Sequence, residues 1–276
     1  MQESDPENFG EMENSPSLTI AQAIANLSHE DTSLRYYAAW WLGKFQVREA
    51  AAIEALIAAL EDEADRTELG GYPLRRNAAR ALGKLGDVRA VPGLIKCLDC
   101  SDFYVREAAA QSLGKLGNPI CIPVLEQLLS GGLAAAVPVP GRPHLAEPYE
   151  AVMEALGALG AKTAIPLIQP FLEHSVARVQ YSATRAMYQL TQDPIYGERL
   201  VQALSGKDIQ LRRVALSDLG AIGYLPAAEA IASSATENSF KLIALKGILE
   251  HQLNPEKAHS LNDAAIRVMT LMDSLL

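Results

Sequence analysis

Counted from the leading apolar residue of the segment beginning at Leu34, positions 1, 5, 9 and 12 are apolar: Leu34, Ala38, Leu42 and Phe45. The same spacing returns in Leu74, Ala78, Leu82 and Leu85. Such a stripe is one face of an α-helix. A different helix type precedes several of these segments, at Ala90 to Leu98, Cys121 to Leu129 and Ala164 to Leu172. Its first turn carries Pro92, Pro123 or Pro166, where a missing N–H costs nothing. The two types alternate, so the unit is a helical hairpin. Its recurrence predicts an all-α chain, a crescent-shaped α-solenoid of about seven hairpins. The expected spans are 17–45, 50–86, 88–117, 119–160, 162–191, 194–223 and 225–251, with a terminal helix near 260–275.

Within each second helix runs a frame of apolar residue, arginine, paired small residues and Leu-Gly, as in Leu34-Arg35, Leu74-Arg75, Val105-Arg106 and Leu211-Arg212. Gly43, Gly83, Gly114, Gly157 and Gly220 then lie inside helices, at about 1 kcal/mol each in propensity. Close approach of neighbouring helices is the expected return. Gly86, Gly117, Gly160 and Gly223 mark helix ends. Two insertions, 62–73 and 130–147, interrupt the period between first and second helix, so both should overhang one rim. The second, with Gly131, Gly132, Pro138, Pro140, Gly141 and Pro143, reads as a flap.

Positions 3 and 7 of the second helices are polar in most copies, among them Arg76 and Arg80, Glu107 and Gln111, and Glu150 and Glu154. In the first copy they are Tyr36 and Trp40. Residues four apart are neighbours on a helix, so this pair predicts an exposed aromatic platform. If the second helices line the concave face, rings, cations and carboxylates follow one another along it. A flat, conjugated dicarboxylic ligand fits that order. So does a protein partner, since Trp, Tyr and Arg are also hot-spot residues. Trp41, where other copies carry Ala or Ser, reads as filling the open end of the solenoid, and Tyr37 is undecided.

Composition narrows the function. A formal net charge of −9 argues against nucleic acid and anionic membrane surfaces as partners. Residues 1–16 carry acids without a basic or apolar block, and read as a disordered tail, neither signal nor transit peptide. With no long apolar run for a membrane span, the expectation is a soluble, cytoplasmic protein and a single solenoid over 17–276. Cys97, Cys100 and Cys121 are too few for a disulfide framework, and Cys97 falls at a packing position. Five scattered histidines give no metal-ligand spacing, so no metal is expected.

The segments Tyr36-Tyr37-Ala38-Ala39-Trp40-Trp41-Leu42, Leu60-Glu61-Asp62-Glu63-Ala64-Asp65-Arg66-Thr67 and Gly70-Gly71-Tyr72-Pro73-Leu74-Arg75-Arg76-Asn77-Ala78-Ala79-Arg80 resemble the E-type subunits of the E/F bilin lyases. The likeness runs over nearly the whole chain from about Ser17, and the hairpins resemble the HEAT-like repeats of phycobilisome lyases. It implies a cyanobacterial heterodimer with an F-type subunit that joins phycocyanobilin, as substrate, to a cysteine of the phycocyanin α subunit through a thioether. No permanently bound cofactor is implied. The acceptor thiol belongs to the substrate, so none of the three cysteines is needed as nucleophile. The Asn-His-Cys motif of the isomerising relatives' F-type partners does not occur here, which implies attachment without isomerisation.

On that resemblance the bilin-binding residues are expected among Tyr36, Tyr37, Trp40, Trp41, Tyr72, Arg76 and Arg80. Tyr36 and Trp40 would stack the bilin, and Arg76 or Arg80 would pair with a propionate. Asp62, Glu63 or Asp65 would contact pyrrole N–H groups or move the proton. For these acids a solvated loop bridged to Arg66 is the competing reading. The competing function is a non-catalytic adaptor, or a factor that binds phycobiliprotein for chromophore detachment or turnover.

Overall fold

The computed structural model describes residues 18–253 and 261–276; the expected tail at 1–16 lies outside them. The chain forms α1 (Ile20–Asn26) and α2 (Thr32–Lys44), then α3 (Ala50–Ala59) and α4 (Pro73–Leu85), then α5 (Val91–Cys97) and α6 (Phe103–Leu116). The fourth hairpin is α7 (Ile122–Leu129), a one-turn α8 (Gly132–Ala135) inside the flap, and α9 (Tyr149–Ala158). There follow α10 (Ile165–Ile168) and α11 (Ala177–Thr191), α12 (Pro194–Ala203) and α13 (Ile209–Ile222), α14 (Ala228–Ser233) and α15 (Asn238–Gln252), and a closing α16 (Asp263–Asp273). The sole β pairing among the described residues is an isolated bridge between Pro138 and Leu145 in the flap.

Local chemistry sets these limits. Asp31, Asp102 and Asp208 each accept from a backbone N–H in the first turn of α2, α6 and α13, supplying an N-cap. Gly86 ends α4 at φ 77°, in the left-handed region open to glycine. Pro92 and Pro123 occupy the first turns of α5 and α7, each entered through a short 3-10 turn.

The helical glycines account for the stacking. A Cβ built on Gly43 would lie 2.8 Å from Ala81 Cα, one on Gly114 2.8 Å from Ala155 Cα, and one on Gly157 2.9 Å from Ala186 Cα. Gly83 faces Ser112 in the same way. Each of these second helices therefore sets its position-10 glycine against position 8 of the next, and backbones meet where side chains would hold them apart. In α2, position 8 is Trp41, and the half-buried indole packs on Phe45, with ring centroids 4.8 Å apart. Phe45 is correspondingly exposed rather than part of the apolar stripe expected for it. Between α11 and α13 the ladder breaks, with Tyr188 in place of the glycine and a buried Asp218 in place of the alanine. Two apolar cores meet there, one reaching from Ala23 to Leu190 and the other from Leu200 to Val268.

The recurring arginine at position 2 closes the hairpins of α2, α6 and α13, while Arg75 of α4 reaches the Asp62 carbonyl at 2.7 Å. Arg106 donates to the Cys100 carbonyl at 2.6 Å, Arg212 to the Gly206 carbonyl at 2.7 Å, and Arg35 to the His29 carbonyl, in every case six residues back. Gln180 does the same to the His174 carbonyl at 2.6 Å. These donors satisfy carbonyls of the turn between the two helices, which have no helical partner. Several also reach forward: Arg106 donates to the Ala146 carbonyl and Arg212 to the Ala235 carbonyl, tying successive hairpins together.

Candidate functional site

The second helices carry the strip at positions 3 and 7, and the two insertions overhang its α4–α6 end. Tyr36 and Trp40 on α2 are 40% and 42% exposed, as an open platform requires. The ring that meets Trp40 is Tyr37, at 5.4 Å between centroids, so Tyr37 belongs to the exposed aromatic surface. Asn77 Nδ2 donates to the Tyr36 carbonyl at 3.2 Å and fixes α4 against this turn of α2.

Next along the strip stand the cations of α4, Arg76 and Arg80, with Lys84 one turn further. Among the described residues none of the three has an ion-pair partner, and the buried Arg76 Nε has no hydrogen-bond acceptor. Partial desolvation, and then the nearby charges of Lys84 and Arg80, push the Lys115 ammonium down from its ordinary range. A chain of net charge −9 has thus gathered unneutralised positive charge beside its exposed rings. Positive charge so crowded favours an anion, which would relieve the mutual repulsion.

The three acids of the first insertion have other work. Asp62 pairs with Arg35 at 2.7 Å and accepts from the Asp65 N–H at 2.9 Å. Glu63 pairs with Arg75 and accepts from the Tyr72 hydroxyl at 3.1 Å. Asp65 is buried and accepts from the Leu74 N–H at 2.6 Å, serving as a remote cap for α4, whose own N-cap Tyr72 makes no side-chain capping bond. Burial raises the Asp65 carboxyl above its ordinary range. The bridges run to Arg35 and Arg75, not to Arg66, whose guanidinium stands 5.8 Å from the Tyr72 ring centroid. Tyr72 itself is buried, its ring under Arg75 at 4.2 Å, so little of it is open to a ligand.

Glu107, at position 3 of α6, differs from those acids. It has no hydrogen-bond or ion-pair partner among the described residues, and burial raises its carboxyl above the ordinary range, opposed by Arg80 and reinforced by Glu150. It lines a pocket of about 220 Å³ together with Tyr104, His144 and Arg178. A larger cleft of about 470 Å³ adjoins it, walled by Thr67–Pro73 of the first insertion and Val139–Ala146 of the flap. His144 stacks on Phe103 with centroids 3.9 Å apart and planes at 10°, and Arg76 stands 5.9 Å from the Tyr104 centroid. Phe103, Tyr104, Arg142 and His144 are the residues that periodicity could not single out, whereas Glu107 was legible as position 3 of the strip; only the expected overhang of the two insertions pointed to this rim.

Cys97 and Cys121 are buried, and burial pushes the Cys97 thiol up to about 12. A thiol so held is not a thiolate nucleophile near neutrality.

The repeats match known families: HEAT repeats over residues 71–135, and the PBS lyase HEAT-like repeat over residues 34–62 and 148–174. The phycocyanobilin lyase subunit alpha of Nostoc sp. (strain PCC 7120) is 70% identical over 265 residues, covering 96% of each chain. This chain belongs to the phycocyanobilin lyase alpha-subunit family. The family's member in Thermosynechococcus vestitus is 68% identical over 86% of this chain and 88% of its own. The bilin biosynthesis protein PecE of the same Nostoc strain is more distant, at 44% over 95% of this chain and 97% of its own. Among solved structures, one of the complex of CpcE and CpcF of phycocyanin lyase from Nostoc sp. contains a chain that superposes with a TM-score of 0.89. That chain is 69% identical, and the match covers 99% of this chain and all of that one. As a family member the chain is a phycobiliprotein lyase subunit built as a HEAT-repeat solenoid. No helix of the described residues is long and apolar enough to cross a membrane.

Proposed function

We propose that this chain acts with an F-type subunit to attach phycocyanobilin through a thioether to a cysteine of the phycocyanin α subunit. The observation that carries this reading is full-length likeness to a phycocyanobilin lyase alpha subunit together with the TM-score of 0.89 to a chain of a CpcE–CpcF complex. The bilin is the substrate, and no resident cofactor enters the reaction. The acceptor sulfur adds to the ethylidene carbon of ring A, forming the C–S bond as the C=C pair moves into the conjugated system. The thiol loses its proton and the tetrapyrrole gains one, so the addition needs neither oxidant nor reductant.

The chain's contribution is binding, orientation and proton management. Tyr36 and Trp40, with Tyr37 beside them, offer ring faces to the bilin. Arg76 and Arg80 offer guanidinium forks to its propionates. Of the candidate acids, Glu107 alone is uncommitted, whereas Asp62, Glu63 and Asp65 are held by Arg35, Arg75 and the Leu74 N–H. We therefore assign the carboxyl facing the pyrrole nitrogens to Glu107 and treat the three insertion acids as its indirect support. The test is reconstitution with F-type partner, free phycocyanobilin and apo α subunit. A denaturation-stable, red-fluorescent adduct is expected, whereas an adaptor or detachment factor gives none.

A further inference from the structure

The rim cleft is a built site that the strip alone does not explain. Its floor is the start of α6, where Asp102 caps the helix through the Tyr104 N–H at 2.8 Å and with its other oxygen accepts from the Tyr72 N–H, also at 2.8 Å. One carboxylate thus locks the first insertion to the cleft floor. The opposite wall is a small hairpin in the flap. The Val139 N–H donates to the His144 carbonyl at 3.1 Å and the Ala146 N–H to the Val137 carbonyl at 3.2 Å, with Gly141 at φ 72° in the turn. Buried His174 holds the root of the hairpin through the Ala136 carbonyl at 2.8 Å, and Arg106 holds its far end through Ala146 and Glu147. His144 lies flat on Phe103 and closes the wall onto the floor. The flap is consequently anchored at both ends and at its middle, and the cleft does not depend on a loose loop.

Two guanidinium groups line this fixed cleft. Arg142, at the hairpin turn, and Arg76, on α4, both line it and have no ion-pair partner among the described residues. Arg76 Nε is buried without an acceptor. Arg106, the third arginine of the lining, is taken by Glu147 at 2.9 Å, and the Asp102 carboxylate is occupied by two N–H donors. Arg76 is also position 3 of α4, the counterpart of Tyr36 on α2, so the cleft continues the aromatic strip.

Resting on the lyase reading above, we propose that the rim cleft is the carboxylate subsite for the bilin, in which Arg142 and Arg76 clamp a propionate while the conjugated rings extend along the strip toward Trp40. The flap then selects an open-chain tetrapyrrole by its side chains, and the rings of α2 hold it by its faces. Planar guanidinium pairs suit a carboxylate better than a lysine would, because both N–H vectors of the fork are used.

The experiment is a visible-absorption titration of the full chain in complex with its F-type partner, using phycocyanobilin and its dimethyl ester as probes. Arg142→Gln should raise the Kd for the free acid about tenfold, the loss of one charge-assisted pair, while its Kd for the ester equals that of the unsubstituted protein. Arg142→Lys should recover part of the loss, and Trp40→Ala should weaken both probes. If Arg142→Gln binds the free acid like the unsubstituted protein, or loses acid and ester alike, the subsite is overturned and the lyase reading stands. If the unsubstituted complex binds neither probe, the lyase reading fails as well.

Discussion

Arg76 stands over the ring of Tyr104, its Cζ 5.9 Å from the centroid, and so joins the strip on the second helices to the cleft beneath the two insertions. With its Nε buried and unpaired, the side chain is poised for an anion rather than needed to balance one. Arg76→Glu reverses that charge without disturbing the helix stripe. Bilin retention in the lyase complex should fall at least tenfold, and the thermal midpoint should move by no more than two or three degrees, as expected for a change away from the core. Retention is read by absorption after gel filtration; equal loss of retention and folding would make Arg76 structural.

Asp65 and Glu107 separate by the opposite criterion. Asp65→Ala leaves the Leu74 N–H without an acceptor in a buried position and should cost about 1–3 kcal/mol of stability, lowering adduct yield only as far as it lowers the folded fraction. Glu107→Gln should retain stability and bilin affinity but slow adduct formation, by roughly the hundredfold typical of a lost proton-transfer group. Urea melts combined with stopped-flow fluorescence distinguish the two. A Glu107→Gln complex that reacts at the normal rate would remove Glu107 from the chemistry.

Gly114 tests the stacking. In an ordinary helix interior Gly→Ala gains about 1 kcal/mol. Here the new Cβ would sit 2.8 Å from Ala155 Cα, a backbone atom that can move only if α9 moves. Gly114→Ala should therefore destabilise the chain by about 1–3 kcal/mol, as overpacking does, with helical circular dichroism unchanged at low temperature. A stabilised variant would show that the helices are not in close contact.

Asp218 gives the fold a pH dependence. Burial, and then the nearby Glu154, raise its carboxyl to about 7 against the opposing pull of Arg185, whose Nη1 lies 3.3 Å away. In the unfolded chain the group ionises near its ordinary value of 3.8. Between these values the unfolded state releases a proton that the folded state keeps. The contribution is thus fully present below about pH 4 and lost as pH rises through about 7. Thermal melts of Asp218→Asn should lose less stability between pH 5 and pH 8 than those of the unsubstituted chain; parallel pH profiles would refute the assignment.

Much of this architecture can be read from the sequence because helix packing is periodic. Leu74, Ala78, Leu82 and Leu85 recur on one face and are all buried, and the in-helix glycines carry their own cost, so a close contact had to repay them. Tyr36 and Trp40 were visible for the complementary reason, that rings occupy positions where other copies are polar. The cleft was not visible. Phe103 and His144 lie 41 residues apart and meet only because the flap folds back on α6. Acids are also alike as letters: Asp65 and Glu107 differ in whether a backbone N–H has claimed the carboxylate, which only the folded chain decides. The position-2 arginine was legible as part of a frame, yet its use at Arg35, Arg106 and Arg212, closing the hairpin on a carbonyl six residues back, is a matter of three-dimensional reach.

On the proposed function, the aromatic platform of α2 presents phycocyanobilin for attachment. This is tested by reconstituting the unsubstituted chain and the Tyr36→Ala, Trp40→Ala double variant side by side, each with the F-type partner, free phycocyanobilin and apo α subunit, and measuring red fluorescence of the denatured products by gel. The unsubstituted chain should give a covalently coloured α subunit, and the double variant should give none while keeping its helical circular dichroism. No adduct from the unsubstituted chain, or equal adduct from both, would contradict it.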